Sequence, residues 1–150
     1  MLDPGPSHRI IDPACGSGGF LIEALRHVWK RIDEQAELYN WSENATFSEK
    51  QRSAINNIRG IDKDEFLSKV AKAYMAIIGD GRGGIFCENS LENPKNWSSA
   101  TRNAIQLGSF DIVVTNPPFG KKLAIDSESI LKQYELGYIW KKDGDNFIKN

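Results

Sequence analysis

Four short runs of apolar residues punctuate the chain, and each ends in a polar or Gly/Pro cluster: RIID at 9–12, NIRGID at 57–62, GIFCEN at 84–89 and FDIVVTN at 110–116. Runs this short and this continuously apolar predict parallel strands buried on both faces. Between the first two, GGFLIEALRHVWKRIDEQAEL sets Phe20, Leu21, Ala24, Leu25 and Val28 at spacings of three and four, which predicts a helix with Ser17 as its N-cap. Asp64 precedes a second helical pattern, FLSKVAKAYMAIIG. Its Phe66, Val70, Ala73, Tyr74 and Ile77 form an apolar stripe expected to pack on the core, and Gly79 is the expected stop. Residues 40–50 and 92–108 read as loops, the latter with a short helix near SSATRNAI. After Gly120 the pattern weakens: KKLAIDSESILKQYELGYIWKKDG reads as loop and short helix, and the final DNFIKN as the opening of another helix.

Strands alternating with helices of this length imply βαβ crossovers. The expected fold is therefore α/β, a doubly wound and mostly parallel sheet with helices on both faces. At 150 residues the chain is one domain or part of one, small for a three-layer α/β architecture. A net charge of −1 provides no broad basic face, so any contact with nucleic acid is local or supplied from elsewhere. Cys15 and Cys87 lie far apart without CxxC spacing, which fits a reducing compartment, by default the cytoplasm. Neither cysteine stands at metal-ligand spacing from His8 or His27, so no metal is expected. The two read instead as packing residues, Cys87 within its strand. No apolar run is long enough for a membrane span, and MLDPGPSHR lacks the apolar core of a signal peptide.

The chemistry gathers at strand ends. DPACGSGGF, residues 12–20, turns from the first strand into the first helix, where backbone N–H groups and a helix N-terminus meet a ligand's polar atoms. Gly16 and Gly18 allow torsions and an approach that a Cβ would block. The dinucleotide fingerprint fails because Leu21 stands where its last glycine belongs, and a Walker lysine is missing. Asp12 would repel phosphate and suits a cationic group such as the amino group of an amino acid. At the tip of the second strand, Asp62 can accept both hydroxyls of a ribose, with N-capping as the competing use. Asn89, ending the third strand, can hydrogen-bond an adenine edge.

The fourth strand ends at Thr115-Asn116-Pro117-Pro118-Phe119. Each proline fixes its own φ and pushes the preceding residue toward extended backbone, so the corner is stiff. There the Asn116 side-chain oxygen and the Pro117 carbonyl can converge on one external amino group, with Phe119 offering a ring beside it. A nucleobase amine is a poor nucleophile because its lone pair is delocalised. Two acceptors on its N–H bonds favour a pyramidal nitrogen and release that pair. With strands ordered 3-2-1-4, the glycine turn and this corner face each other across the point where the chain reverses direction.

With these motifs in this order, the chain resembles the S-adenosylmethionine-dependent methyltransferases that act on the adenine amino group in DNA, most closely the modification (methylation) subunit of type I restriction-modification systems. DPACGSGGF is similar to that family's cofactor motif, GIDKDEF to its acidic motif and NPPFG to its catalytic motif. The resemblance implies a Rossmann-like fold, here ending after the fourth strand, with S-adenosyl-L-methionine as cofactor. It implies that Asp12, Ala14, Gly16 and Gly18 hold the methionine part and Asp62 the ribose. Asn116 and Pro117 would orient the target amine, and Phe119 would stack on an adenine swung out of the duplex. Family members often carry aspartate where Asn89 stands, and an apolar residue where Lys63 stands. Residues 1–150 are thus expected to be part of a catalytic domain without its target-recognition region, inactive by itself. Double-stranded DNA would be met through other parts of the parent. A specificity subunit is the implied partner, joined by a restriction subunit where a nuclease accompanies the parent. An uncovered fourth strand would leave an edge open to pairing between copies. Enzymes that methylate guanine's amino group in RNA join a similar turn to NPP-aromatic-G and form the alternative, beside a fragment that only binds cofactor.

Overall fold

The computed structural model describes residues 2–78, 84–118, 125, 127–138, 140–143 and 146–149. Gly79, Phe119, Lys121 and Lys122 lie outside the described residues. The elements run β1 (Ile10–Asp12), α1 (Gly19–Tyr39), α2 (Glu43–Asn57), β2 (Ile58–Asp62), α3 (Glu65–Ile78), β3 (Ile85–Cys87), α4 (Ser99–Ala104), β4 (Ile112–Val113), α5 (Glu128–Leu131), β5 (Trp140–Asp143) and β6 (Asn146–Lys149). Strands one to four form a parallel sheet in the order β3-β2-β1-β4. This is the expected doubly wound arrangement, with its reversal between β1 and β4.

Period-two alternation assigns the strands' side chains to two layers. Ile10, Ile58 and Ile85 join Leu21, Leu25, Val28 and Ile32 of α1 and Ala71 and Met75 of α3 in one core cluster. On the opposite face Ile11 and Ile61 pack with Trp97 and Ile105, around α4. Each fully buried Leu or Ile side chain contributes about 1.5–3 kcal/mol. The four short strands are therefore held mainly by what covers them.

Several expectations are corrected. The N-cap of α1 is Gly18, in the left-handed region at φ 89° and without a side-chain cap, rather than Ser17. A Cβ at Gly18 would stand 3.3 Å from the Ala71 Cβ, so glycine allows α1 to start hard against α3. Phe20, expected on the core stripe of α1, is 51 % exposed. The stripe expected to bury α3 also faces outward: Phe66 is 73 %, Tyr74 51 % and Ile77 80 % exposed, while Ser68, Ala71 and Met75 are buried. Ser68 can occupy that face because its hydroxyl donates to Glu65 O at 3.0 Å, and small Ala71 permits the contact with Gly18.

Residues 43–50, read as loop, are instead the first part of α2 (Glu43–Asn57). Ser42 caps it by accepting from Ala45 N–H at 3.3 Å, and only Ser53 and Ala54 are buried, so the apolar periodicity that reveals a helix is missing. The tail expected to begin a helix is instead β6, antiparallel to β5. Cys87, expected in the strand core, is exposed, whereas Cys15 is buried as expected. The short helix near residues 98–105 is present as α4, capped by Ser98.

Candidate active site

All four strands of the parallel sheet point their carboxyl ends at one side, and the loops leaving them enclose a cavity of about 500 Å³. The first turn contributes Pro13 and Ala14, and the end of β2 contributes Asp62 and Lys63. The loop after β3 contributes Asn89, Ser90 and Leu91. The fourth-strand corner contributes Thr115, Pro117 and Pro118, with Ile125 completing the wall. Two motifs about a hundred residues apart thus meet in one space, because β1 and β4 are hydrogen-bonded neighbours with Ile11 opposite Val113.

The glycine turn is held by fixed acceptors. Cys15 N–H donates to Ile61 O at 2.9 Å, and Gly16 N–H, at φ 53°, donates to the Asp62 carboxylate at 2.8 Å. The other Asp62 oxygen accepts Asp64 N–H at 2.8 Å. The competing use of Asp62 falls to its neighbour: Asp64 accepts Leu67 N–H at 2.9 Å and so caps α3. A Cβ built on Gly16 or Gly19 would meet nothing within 4 Å, so the outer side of the turn is open to close approach.

Asp12 lies beneath this turn. It is 1 % exposed, and its carboxylate accepts Ala14 N–H at 3.0 Å. Burial pushes its pKa above the ordinary carboxylate value, and the charge of Asp62 adds to the rise; the hydrogen bond from Ala14 opposes it. The same burial, with Asp12 and Asp62 nearby, pushes the Cys15 thiol up to about 12, so Cys15 is a packing group and not a nucleophile.

The loop after β3 is anchored from the opposite layer. Buried Trp97 donates its indole N–H to Asn89 O at 3.0 Å, and Asn89 Oδ1 accepts Leu91 N–H at 3.1 Å. Glu88 accepts from Ser98 N–H at 2.8 Å and the Thr101 hydroxyl at 2.9 Å. Burial alone would raise the Glu88 pKa; these hydrogen bonds and the charge of Arg102 outweigh it and hold the carboxyl below its ordinary value. Trp97 and Glu88 carried no motif signal. Their partners are main-chain atoms or groups distant in sequence that only the fold brings near.

Of the residues singled out from sequence, Ala14, Asp62, Asn89 and Pro117 line the cavity. Asn116 is exposed and is not among the residues that line the cavity, although its neighbours Thr115 and Pro117 are; Gly16 and Gly18 shape the turn, and Asp12 supports that turn through Ala14 N–H. Among the described residues, no group of three or more His, Cys, Asp or Glu could hold a metal ion, and no helix is long and apolar enough to cross a membrane.

Known proteins are similar to this chain in sequence and in fold. The chain is 31 % identical over 134 residues to the type I restriction enzyme MjaVII methylase subunit of Methanocaldococcus jannaschii, covering 89 % of this chain and 18 % of that protein. It is 26 % identical to the type I restriction enzyme EcoEI methylase subunit of Escherichia coli, over 99 % of this chain and 26 % of that one. The crystal structure of the M protein of type I restriction enzyme EcoKI superposes with a TM-score of 0.54 at 26 % identity, covering 84 % of this chain and 23 % of that one. The chain therefore spans about a quarter or less of the length of these relatives. The family model described as N-6 DNA Methylase matches residues 1–146, and the chain belongs to that family.

Proposed function

We propose that this protein, within its parent, transfers a methyl group from S-adenosyl-L-methionine to the exocyclic amino group of adenine in DNA, as the methylating part of a restriction-modification system. The observation that carries this reading is the shared cavity, in which Ala14 and Asp62 face Pro117 across the β1–β4 reversal.

The residues present fit the cofactor. The open side of Gly16 and Gly19 admits a chain lying close to the backbone, and the first turn of the 21-residue helix α1 directs N–H groups and the positive end of its dipole toward a carboxylate. Asp12, Ala14, Gly16 and Gly18 form the cradle for the methionine part, Asp12 through its hold on Ala14 N–H. An ionised carboxylate offers about four lone-pair sites. Asp62 engages two of them within the fold, leaving acceptors for the ribose hydroxyls. Asn89 meets the adenine edge. Bound S-adenosylmethionine supplies an electrophilic methyl on a positively charged sulfur.

The remaining chemistry belongs to the corner. Asn116 Oδ1 and the Pro117 carbonyl accept from the two N–H bonds of the target amine, and positive charge grows on that nitrogen as it attacks. These acceptors are worth more in the transition state than in the ground state. The stiffness of consecutive prolines fixes them beforehand. Phe119 stacks on the extruded base. Specificity and restriction subunits are the partners this reading names. The free thiols of Cys15 and Cys87 suit the cytoplasm.

The test is transfer of labelled methyl from S-adenosylmethionine by the intact protein, followed by digestion of the nucleic acid to nucleosides. Label in N6-methyl-2′-deoxyadenosine from DNA is expected, and label confined to methylated guanosine from RNA would favour the alternative substrate. Asn116→Ala should lower turnover about 10²-fold with cofactor affinity little changed. Near-normal turnover in that variant would remove the amine-orienting role.

A further inference from the structure

The loop after β3 brings Asn89, Ser90 and Leu91 to the cavity. It leaves a three-residue strand at the edge of the parallel sheet, so the ladder itself holds little of it. Two hydrogen bonds turn it tightly at Asn89: Leu91 N–H donates to the side-chain Oδ1 at 3.1 Å, and Glu92 N–H donates to the main-chain oxygen at 3.0 Å. That main-chain oxygen takes its second bond, also at 3.0 Å, from the indole N–H of Trp97. Trp97 is 5 % exposed and packs with Ile11, Ile61 and Ile105 on the α4 side of the sheet. An indole has a single donor and no acceptor, so its packing decides where that donor points. The turn at Asn89 is therefore clamped from a core layer that does not itself reach the cavity.

We propose that Trp97 is a positioning residue for recognition of the cofactor's base: its indole N–H fixes the Asn89 turn, and the fixed turn holds the Asn89 amide in the orientation that reads adenine. The orientation matters because an amide has an acceptor end and a donor end. A free amide rotates to suit either adenine or hypoxanthine, whose amino-bearing and carbonyl-bearing edges are opposite in donors and acceptors. Here Oδ1 is committed to Leu91 N–H, and the amide NH2 has no partner among the described residues, so the donor end is the one left for a ring nitrogen of the base. A site whose polar groups are fixed in advance rejects the wrong partner because they are left unpaired by it.

This inference rests on the proposed use of S-adenosylmethionine for its ligand, but not for its structural claim. The structural test is amide hydrogen exchange of the protein without ligand. In Trp97→Phe, which keeps an apolar ring and loses the N–H, exchange should accelerate at residues 89–92 while β1 and β2 exchange as in wild type. Ile105→Val trims the same apolar cluster, keeps the indole bond and should leave 89–92 unchanged. No acceleration at 89–92 in the phenylalanine variant would overturn the proposal. So would acceleration that extends through β1 and β2, or equal loosening of 89–92 in Ile105→Val, since either would make Trp97 a packing residue only. A reading that needs no variant is the Trp97 indole proton in wild type, which should exchange slowly with solvent; exchange as fast as that of an exposed indole would also overturn it. In the intact protein, calorimetric titration compares S-adenosylhomocysteine with S-inosylhomocysteine. Wild type should prefer the adenine compound, and Trp97→Phe should reduce that preference about 10-fold, the scale of one hydrogen bond. Equal weakening of both compounds would contradict the positioning role. Failure of wild type to bind S-adenosylhomocysteine would count against the proposed function and leave the exchange result standing.

Discussion

Asp62 shows how one side chain serves the fold while it lines the cavity. One oxygen takes Gly16 N–H and the other Asp64 N–H, so the acid fixes the glycine turn and the entry to α3. Removing it should weaken cofactor binding by about tenfold to a hundredfold, the scale of lost charge-assisted hydrogen bonds. Calorimetric titration of Asp62→Ala with S-adenosylmethionine checks this, and native affinity would remove Asp62 from the site. Glu88 makes a different prediction. Its pKa is held below the ordinary value of 4.5, so its contribution to stability is present above 4.5 and is lost as pH falls through the depressed value. Urea unfolding should therefore weaken more steeply between pH 5 and about pH 3 in the wild type than in Glu88→Gln. Parallel curves would mean that the hydrogen bonds from Ser98 and Thr101 do not discriminate between the two protonation states. Asp62, Ala14 and Pro117 were readable from sequence because their motifs are local. Glu88 and Trp97 were not, because nothing in the neighbouring residues marks a partner eight or ten positions away.

At the scale of elements, the strands were legible as short continuous apolar runs and α1 as apolar residues at spacings of three and four. Helix α3 misled because two stripes compete on one cylinder. Phe66, Tyr74 and Ile77 carry more apolar area, yet Ala71 and Met75 face the sheet because small residues let the helix approach Gly18. Bulk lost to closeness here. The consequence is measurable: Met75→Ala should cost about 2–5 kcal/mol of unfolding free energy. Phe66→Ser, at an exposed position, should change it by no more than about 0.5 kcal/mol. A reversal of that order in denaturant titrations would mean that α3 is rotated relative to the arrangement described. Helix α2 escaped detection for the opposite reason, since its buried residues are a serine and an alanine. The β5–β6 hairpin was hidden in a polar segment whose apolar residues show no sustained alternation.

At the scale of the whole molecule, the order β3-β2-β1-β4 decides everything that follows. It makes the first and fourth strands neighbours and turns two distant loops toward one cavity, the order supposed from the sequence for a doubly wound sheet. The fourth strand is short, and Val113 on it is 60 % exposed. The side of β4 away from β1 is unpaired among the described residues. The central claim is that the glycine turn and the double-proline corner hold the two sides of one methyl transfer. A crystal structure with S-adenosylhomocysteine bound tests it most directly. The account predicts ribose hydroxyls on Asp62 and the sulfur over the β1–β4 reversal, facing Asn116 and Pro117. Homocysteine and ribose bound away from this cavity, or a sulfur turned from the corner, would contradict it.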